Sequence, residues 1–190
     1  MKNINEFKPR QKGLLFWVIF MLFYGLQKIA PFFPVTLFTA IDESNFQHYK
    51  ATFITYFLTC LVEYLVFRKK LPNKTSFWYS RLMMTVFIPW LVFLTWYTMP
   101  ALLGGKALPN VVLEIVFANV AALAVGMVAA LLERGFATMT FSKGTKVVVW
   151  VFFIISITIY TLFTFYLPWA DVFTEPNWRE TSLILWRLYV

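Results

Sequence analysis

Long apolar stretches separated by short polar or basic segments dominate this chain. An α-helix needs about 20 residues to cross a bilayer, and five stretches reach that length. They predict transmembrane helices at about residues 13–33, 49–67, 77–99, 111–132 and 147–167. This pattern is typical of an all-α, polytopic transmembrane helical bundle.

Shorter segments flank the predicted transmembrane domain of residues 13–167. Residues 1–12 are polar and basic, and no small-residue cleavage site follows the first apolar stretch. That stretch is therefore expected to be an uncleaved anchor rather than a signal peptide. The tail of residues 168–190 has turn residues and then an apolar run too short to cross. Its aromatic residues indicate an interfacial location, because Trp and Tyr favour headgroup depth.

The composition agrees with a membrane protein. Of the 190 residues, 60% are hydrophobic and 14% are charged, whereas a soluble domain carries roughly 25% charged residues. The net charge of +8 would suggest nucleic acid as the partner of a soluble protein. In a membrane protein, basic loops set the orientation and meet anionic lipid. The expected partner is therefore the lipid bilayer, and no nucleic-acid binding is expected.

The basic residues predict the orientation of the chain. Twelve of the 17 Lys and Arg residues fall before the first predicted span, between the second and third or near the start of the third, and between the fourth and fifth. The other five fall on the opposite side. By the positive-inside rule, the N-terminus is cytoplasmic and the C-terminus lies outside.

Cysteine and histidine each occur once, as Cys60 and His48. An intrachain disulfide, a cysteine-based zinc site and a bis-histidine haem are therefore excluded. The chain contains no GxSxG, Walker, HExxH or GxGxxG motif. The sequence thus assigns no metal ligand, no cofactor and no catalytic residue.

A polar stripe follows one face of the second predicted helix. Its members are His48, Thr52, Thr55, Thr59 and Glu63. They fall within an arc of roughly 80° and extend over about 22 Å. The stripe must face protein or water, because a carboxylate facing lipid is costly. Three interpretations are open: the threonines bond to their own helix while Glu63 pairs with Arg81 or Arg68, the stripe lines a ligand cavity, or His48 and Glu63 exchange protons.

Further polar residues gather near the predicted outer ends of the helices. Ser44 and Gln47 form an S-x-x-Q capping box, so helix initiation alone can explain them and the two acids before them. Lys28 and Glu114 are each costly in a membrane and are predicted to pair. Together these features predict an outward-facing polar pocket. Its candidate ligand-binding residues are Glu43, His48, Lys50, Thr52, Glu63, Lys28, Glu114 and Asp171.

Small residues recur at every fourth position of the fourth predicted helix. They are Ala118, Ala122, Gly126 and Ala130. Such spacing lets two helix backbones approach closely, where van der Waals contact drives association in lipid. The face serves either internal packing or contact with a second copy or another membrane protein.

Two short motifs resemble an uncharacterised family. The segment D-E-S-N-F-Q-H-Y-K of residues 42–50, with Glu63 and Tyr64, resembles the N-E-S-x-W-E-H-x-K segment and E-Y pair of the domain of unknown function 6512 family. Residues 163–168, F-T-F-Y-L-P, resemble that family's closing segment. Positions 42, 46 and 47 depart from the pattern, and Gln47 lacks the carboxylate that the family places beside the histidine.

The family consists of small prokaryotic integral membrane proteins, so the resemblance implies location in the cytoplasmic membrane of a prokaryote. It also implies that the outer motif and the tail belong to one site. The family has no known function.

The function that these features favour is binding of a small polar or amphipathic ligand in the outward-facing pocket, by a transporter or a substrate-binding subunit. A first alternative is a membrane-embedded enzyme acting on a lipid or isoprenoid, with His48 and Glu43 or Glu63 as acid and base. A second is an accessory or assembly subunit of a membrane complex, with the small-residue face as the contact.

Overall fold

A computed structural model describes residues 6–30, 32–42, 44–104 and 110–173. Within these ranges the chain is all-helical, without strands. The α-helices are α1 (Pro9–Ile29), α2 (Val35–Phe38), α3 (Asn45–Phe67), α4 (Lys74–Leu102), α5 (Val111–Ala137) and α6 (Lys143–Phe165), and a 3-10 helix covers Asp171–Phe173.

Four of these helices are long and apolar enough to cross a membrane. The stretches that qualify are Asn45–Phe67, Lys74–Thr98, Val112–Ala137 and Lys143–Phe165. They overlap the second to fifth predicted spans. The first predicted span overlaps α1, which has 21 residues. The described chain is therefore a helical bundle compatible with an integral membrane protein.

Side-chain caps begin four of the long helices, including α4, where Asn73 Oδ1 accepts from Ser76 N at 3.0 Å. Ser44 Oγ accepts a hydrogen bond from Gln47 N at 3.4 Å, which confirms the predicted cap of α3. The reciprocal half of the predicted capping box does not form. Gln47 Oε1 instead accepts from Ile41 N at 3.5 Å, and Ser44 N donates to Asp42 Oδ1 at 2.8 Å. Asn110 and Ser142 cap α5 and α6 in the same way as Ser44.

The small-residue face of α5 packs against α1 inside the chain. A Cβ atom added to Gly126 would lie 2.7 Å from Phe16 Cδ1 and 3.2 Å from Gly13 Cα. Ala130 is buried, and Ala122 packs beside a cluster that includes Phe20. Internal packing thus accounts for these residues. The alternative, contact with a second copy, stays a prediction.

The core lies between α1, α3, α4 and α5, and α6 packs outside it. Phe16, Tyr56, Met84 and Ala129 are among the central buried residues, one from each of these four helices. On the other side of α3 and α4, a second cluster joins them to α6. Most of α6 is exposed, as expected for a helix that meets lipid on its outer side.

The two ends of the bundle differ in chemistry. The end of the bundle at which α1, α4 and α6 begin and α3 and α5 end is called the basic end. Contacts from α1 to α3 and α5, and from α4 to α6, join the helices there. The end where α2, the start of α3 and the end of α6 meet is called the opposite end.

Candidate functional site

Lys50 lies at the opposite end, in the second turn of α3, and its side chain is fully buried. Its ammonium Nζ donates to the carbonyl oxygen of Thr36 at 2.9 Å and to Thr164 Oγ1 at 3.1 Å. Thr164 in turn donates its hydroxyl proton to Tyr160 O. Lys50 therefore links α2, α3 and α6 through hydrogen bonds to uncharged oxygens.

The two motifs that carry the family resemblance are in contact. Besides the bond from Lys50 to Thr164, the ring of Phe46 lies with its centroid 4.7 Å from that of Phe173. Phe46 also contacts Phe163 at 6.0 Å. The start of α3 and the segment after α6 thus form one packed unit. Residues 174–190, most of the predicted tail, lie outside the described residues.

Other buried polar side chains lie in the same half of the bundle. Gln47 and Thr52 are buried, and Thr52 Oγ1 donates to Tyr49 O at 2.9 Å. Thr39 Oγ1 donates to Gln27 Oε1, which joins the segment after α2 to α1. Thr55 Oγ1 is buried and has no hydrogen-bond partner among the described residues. The half of the bundle that includes the opposite end therefore has a polar core.

His48 lies on the same stretch of α3 but in an aromatic setting. Its ring stacks on Tyr24 with centroids 6.2 Å apart and planes 8° from parallel. Trp96 lies on another side at 6.1 Å. These rings from α1 and α4 fix the orientation of the imidazole.

The structure leaves three predicted site residues without a described side chain. Glu43 lies outside the described residues, as do the side chains of Lys28 and Asp171. The predicted pair between Lys28 and Glu114 therefore also lies outside them. Glu114 itself falls in the first turn of α5, where a carboxylate complements the helix dipole.

Glu63, the last member of the polar stripe, lies at the basic end in a buried group of charges. We call this group the ion cluster. It consists of Glu6, Lys12, Glu63, Arg81, Glu133 and Arg134. Five of the six side chains are at most 2% exposed, and Arg134 is 37% exposed.

Lys12 is the centre of the ion cluster. Its Nζ lies 2.6 Å from Glu63 Oε2 and 2.6 Å from Glu133 Oε1. Arg81 Nε approaches the same two carboxylates at 3.3 and 3.2 Å. Glu133 also accepts from the Tyr56 hydroxyl at 2.9 Å. Each of the two carboxylates is thus shared by two cations.

The segment before α1 completes the ion cluster. Glu6 accepts from Arg81 Nη2 at 2.7 Å, and Arg134 Nε lies 2.9 Å from the other carboxylate oxygen. The backbone of Phe7 donates to Glu63 Oε1 at 3.0 Å and accepts from Arg134 Nη2 at 3.1 Å. Residues 6 and 7 therefore close the basic end over the buried charges.

The ion cluster is electrically balanced, with three cations and three carboxylates. Breaking a buried pair leaves an uncompensated charge, which is more costly than never having buried the pair. The ion cluster thus ties α1, α3, α4 and α5 together at one end of the bundle. This arrangement can hold helices in register. Its carboxylates are paired throughout, although Glu6 Oε1 meets Arg134 as an ion pair without a hydrogen bond.

For the polar stripe, the contacts of Thr52, Thr59 and Glu63 match the first of the three interpretations, whereas the Thr55 hydroxyl has no partner among the described residues. Glu63 pairs with Arg81, as that interpretation predicts, and Arg68 is exposed. Thr59 bonds to the carbonyl oxygen of Thr55 in its own helix at 2.8 Å. His48 and Glu63 lie toward opposite ends of α3.

Sequence reasoning missed Lys12, Glu133 and Glu6 as partners of Glu63 and Arg81. Lys12 belongs to the polar, basic segment of residues 1–12, and Glu133 lies just past the predicted end of the fourth span. One signal could have found Glu133: it follows a long apolar run, so its carboxylate needs a partner for the same reason as Glu63. Its partners themselves come from distant parts of the chain.

A cavity of about 410 Å³ lies between α4 and α5. Its lining is apolar: Met84, Phe87, Trp90, Leu91, Leu94, Leu132 and Phe136. None of the predicted site residues lines it. The polar region around Lys50 and this cavity are separate features.

No protein-family model, no curated protein and no solved structure matches the chain. The helices alone therefore define the class of protein: an all-helical bundle with four stretches able to cross a membrane. Within the described residues, its two buried polar regions are the surroundings of Lys50 and the ion cluster.

Proposed function

We propose that this protein is an integral membrane protein of five spans that binds a small polar or amphipathic ligand at its opposite end, as a transporter or a substrate-binding subunit. The fifth span is α1, whose 21 residues extend over about 31 Å. The N-terminus is cytoplasmic, because most basic residues lie at the basic end. The ligand site then faces outward.

The observation that carries the proposal is the burial of Lys50. An ammonium group has three N–H donors, and the described residues supply acceptors for two of them, Thr36 O and Thr164 Oγ1. Both acceptors are uncharged, and the Asp42 carboxylate, which acts on the ammonium electrostatically, forms no hydrogen bond with it. A buried cation is costly without a compensating charge or a full set of hydrogen bonds. A ligand with a negatively charged or acceptor group would supply what the site lacks.

The aromatic rings next to Lys50 support the same site. Thr55, whose buried hydroxyl has no partner among the described residues, lies about 140° round α3 from Lys50 and is not part of this lining. His48 lies on the other side of α3, against Tyr24 and Trp96. Phe46, one turn before Lys50, packs against Phe163 and Phe173. A ligand that combines a polar head with an apolar body fits such a mixed lining.

We also propose that the chain belongs to the domain of unknown function 6512 family and lies in the cytoplasmic membrane of a prokaryote. Contact between the two resembling motifs supports this, since Lys50 from one binds Thr164 from the other. Their proximity agrees with one shared site.

The test is native mass spectrometry of the protein extracted mildly from its host membrane, for the wild type and for Lys50→Gln. We expect a specific small-molecule adduct on the wild type that is lost in Lys50→Gln. Lys74→Gln is the matched control, since it removes the same charge from an exposed position. That variant should keep the adduct.

A wild type without an adduct, or an adduct equally present on Lys50→Gln, would refute the proposed site. A stoichiometric protein partner in the same spectra would instead favour an assembly subunit.

A further inference from the structure

We propose that Arg81 and Arg134 form a binding site for a singly charged oxyanion, a carboxylate or a phosphodiester, and that Glu6 occupies this site in the present structure. The site is at the basic end, apart from the Lys50 region, so it does not depend on the proposed outer ligand. Its ligand would reach the protein from the cytoplasmic side.

Two arginines from different helices lie against one carboxylate, Arg81 with a hydrogen bond and Arg134 as an ion pair without one. Arg81 Nη2 on α4 donates to Glu6 Oε2 at 2.7 Å, and Arg134 Nε on α5 lies 2.9 Å from Glu6 Oε1. Each carboxylate oxygen thus faces its own arginine. Guanidinium groups are well suited to oxyanions, because they stay charged and form strong charge-assisted hydrogen bonds with them.

Arg81 is held in place by contacts other than Glu6. Its Nη1 donates to Ser80 Oγ at 3.0 Å, and its Cζ lies 4.0 Å from the ring centroid of Phe77. Its Nε faces Glu63 and Glu133. Because these contacts do not involve Glu6, the guanidinium should stay in position when Glu6 leaves.

Glu6 reaches the site on a short non-helical segment. α1 begins at Pro9, so Glu6 can withdraw without unwinding a helix. The segment is held mainly by Phe7, through its backbone bonds to Glu63 and Arg134 and an edge contact with Phe67 at 5.2 Å. Glu6 is therefore a tethered carboxylate that an external anion can replace.

The charge of the ion cluster specifies the ligand. With Glu6 the six side chains sum to zero, and without it they sum to +1. One negative charge restores neutrality, and a carboxylate or a phosphodiester carries one. Arg134 is 37% exposed while Arg81 is 2% exposed, so the site is open on the Arg134 side. Both a soluble carboxylate and the headgroup of an anionic phospholipid can approach there.

The experiment uses the full chain in nanodiscs of neutral phosphatidylcholine, with thermal unfolding followed by the fluorescence of its eight tryptophans. Glu6→Gln is titrated with sodium acetate or sodium chloride at the same ionic strength. We expect acetate to raise the Tm of Glu6→Gln in a saturable manner, with a larger rise than chloride gives and little effect on the wild type. A parallel arm replaces part of the neutral lipid with phosphatidylglycerol.

The two arms distinguish the sources of the anion. A rise with acetate indicates a soluble carboxylate, and a rise only with phosphatidylglycerol indicates a lipid headgroup. The control is Glu6→Gln combined with Arg134→Gln, which is neutral but lacks one arginine, and it should lose the response. An equal response to chloride, an equal response in the control, or none in either arm would overturn the proposal.

Glu6→Asp serves if Glu6→Gln does not fold. It keeps the charge, but the shorter side chain cannot hold both arginine contacts without moving the segment. A smaller rise in Tm with the same anion is expected. The absence of any rise in Glu6→Asp would then overturn the proposal.

Discussion

At the scale of single residues, the feature that most shapes this protein is the sharing of charges within the ion cluster. Lys12 bridges two buried carboxylates, those of Glu63 and Glu133. The cost of a buried Glu63 could be predicted from sequence, and so could Arg81 as a partner. Lys12 could not, because it lies 51 residues from Glu63 along the chain and its spacing carries no signal.

Replacing Lys12 with Met should strongly destabilise the fold, because the two carboxylates of Glu63 and Glu133 would then have Arg81 as their only shared cation. Removing one member of a buried ion pair costs about 3–5 kcal/mol. The measurement is the free energy of unfolding in mixed detergent micelles. Lys8→Met is the control, since Lys8 is exposed. A Lys12→Met variant as stable as Lys8→Met would contradict the central role of Lys12.

At the scale of helices, the contact between α1 and α5 depends on residues without side chains. Gly13 and Gly126 let the two backbones approach until an added Cβ would meet its neighbours at 2.5 and 2.7 Å. The fourfold spacing of small residues predicted a close contact, but the partner helix could not be read from it. Which helix fills the face depends on how all the helices pack.

Gly126→Ala should lower stability, because the new methyl group forces Phe16 and the α1 backbone to move. Overpacking of this kind costs about 1–3 kcal/mol, which exceeds the gain of up to about 1 kcal/mol from better helix propensity. Gly135→Ala on the same helix is the matched control, since a Cβ there would meet nothing within 4 Å. Unfolding midpoints of both variants provide the measurement. Equal stabilisation by the two substitutions would show that α1 and α5 are not in tight contact.

At the scale of the whole molecule, the bundle separates two kinds of polar interior. The basic end holds a balanced set of charges, whereas at the opposite end one buried lysine donates its hydrogen bonds to uncharged oxygens. Most basic residues of the chain also lie toward the basic end. The proposed orientation follows from this asymmetry and from the rule that cytoplasmic segments are rich in Lys and Arg.

Single-cysteine labelling tests the orientation in a Cys60→Ala background. Lys69→Cys lies at the basic end, and Trp169→Cys lies after α6 at a position that is 95% exposed. In right-side-out vesicles, a membrane-impermeant maleimide should label Trp169→Cys at once and Lys69→Cys only after permeabilisation. Labelling in the reverse order would invert the proposed topology. Labelling of both sites before permeabilisation would contradict the three spans, α4, α5 and α6, that the proposal places between them.

The sequence by itself determined the class of this protein, four of its long helices and the start of α3. Apolar length and capping are local properties, and the cost of polar groups in lipid constrains each helix separately. Only the tertiary structure decided that Lys12 and Glu133 complete the ion cluster, that Glu6 covers it and that Lys50 meets Thr164. These contacts join residues far apart in the chain, and their geometry depends on how the helices pack rather than on any one segment.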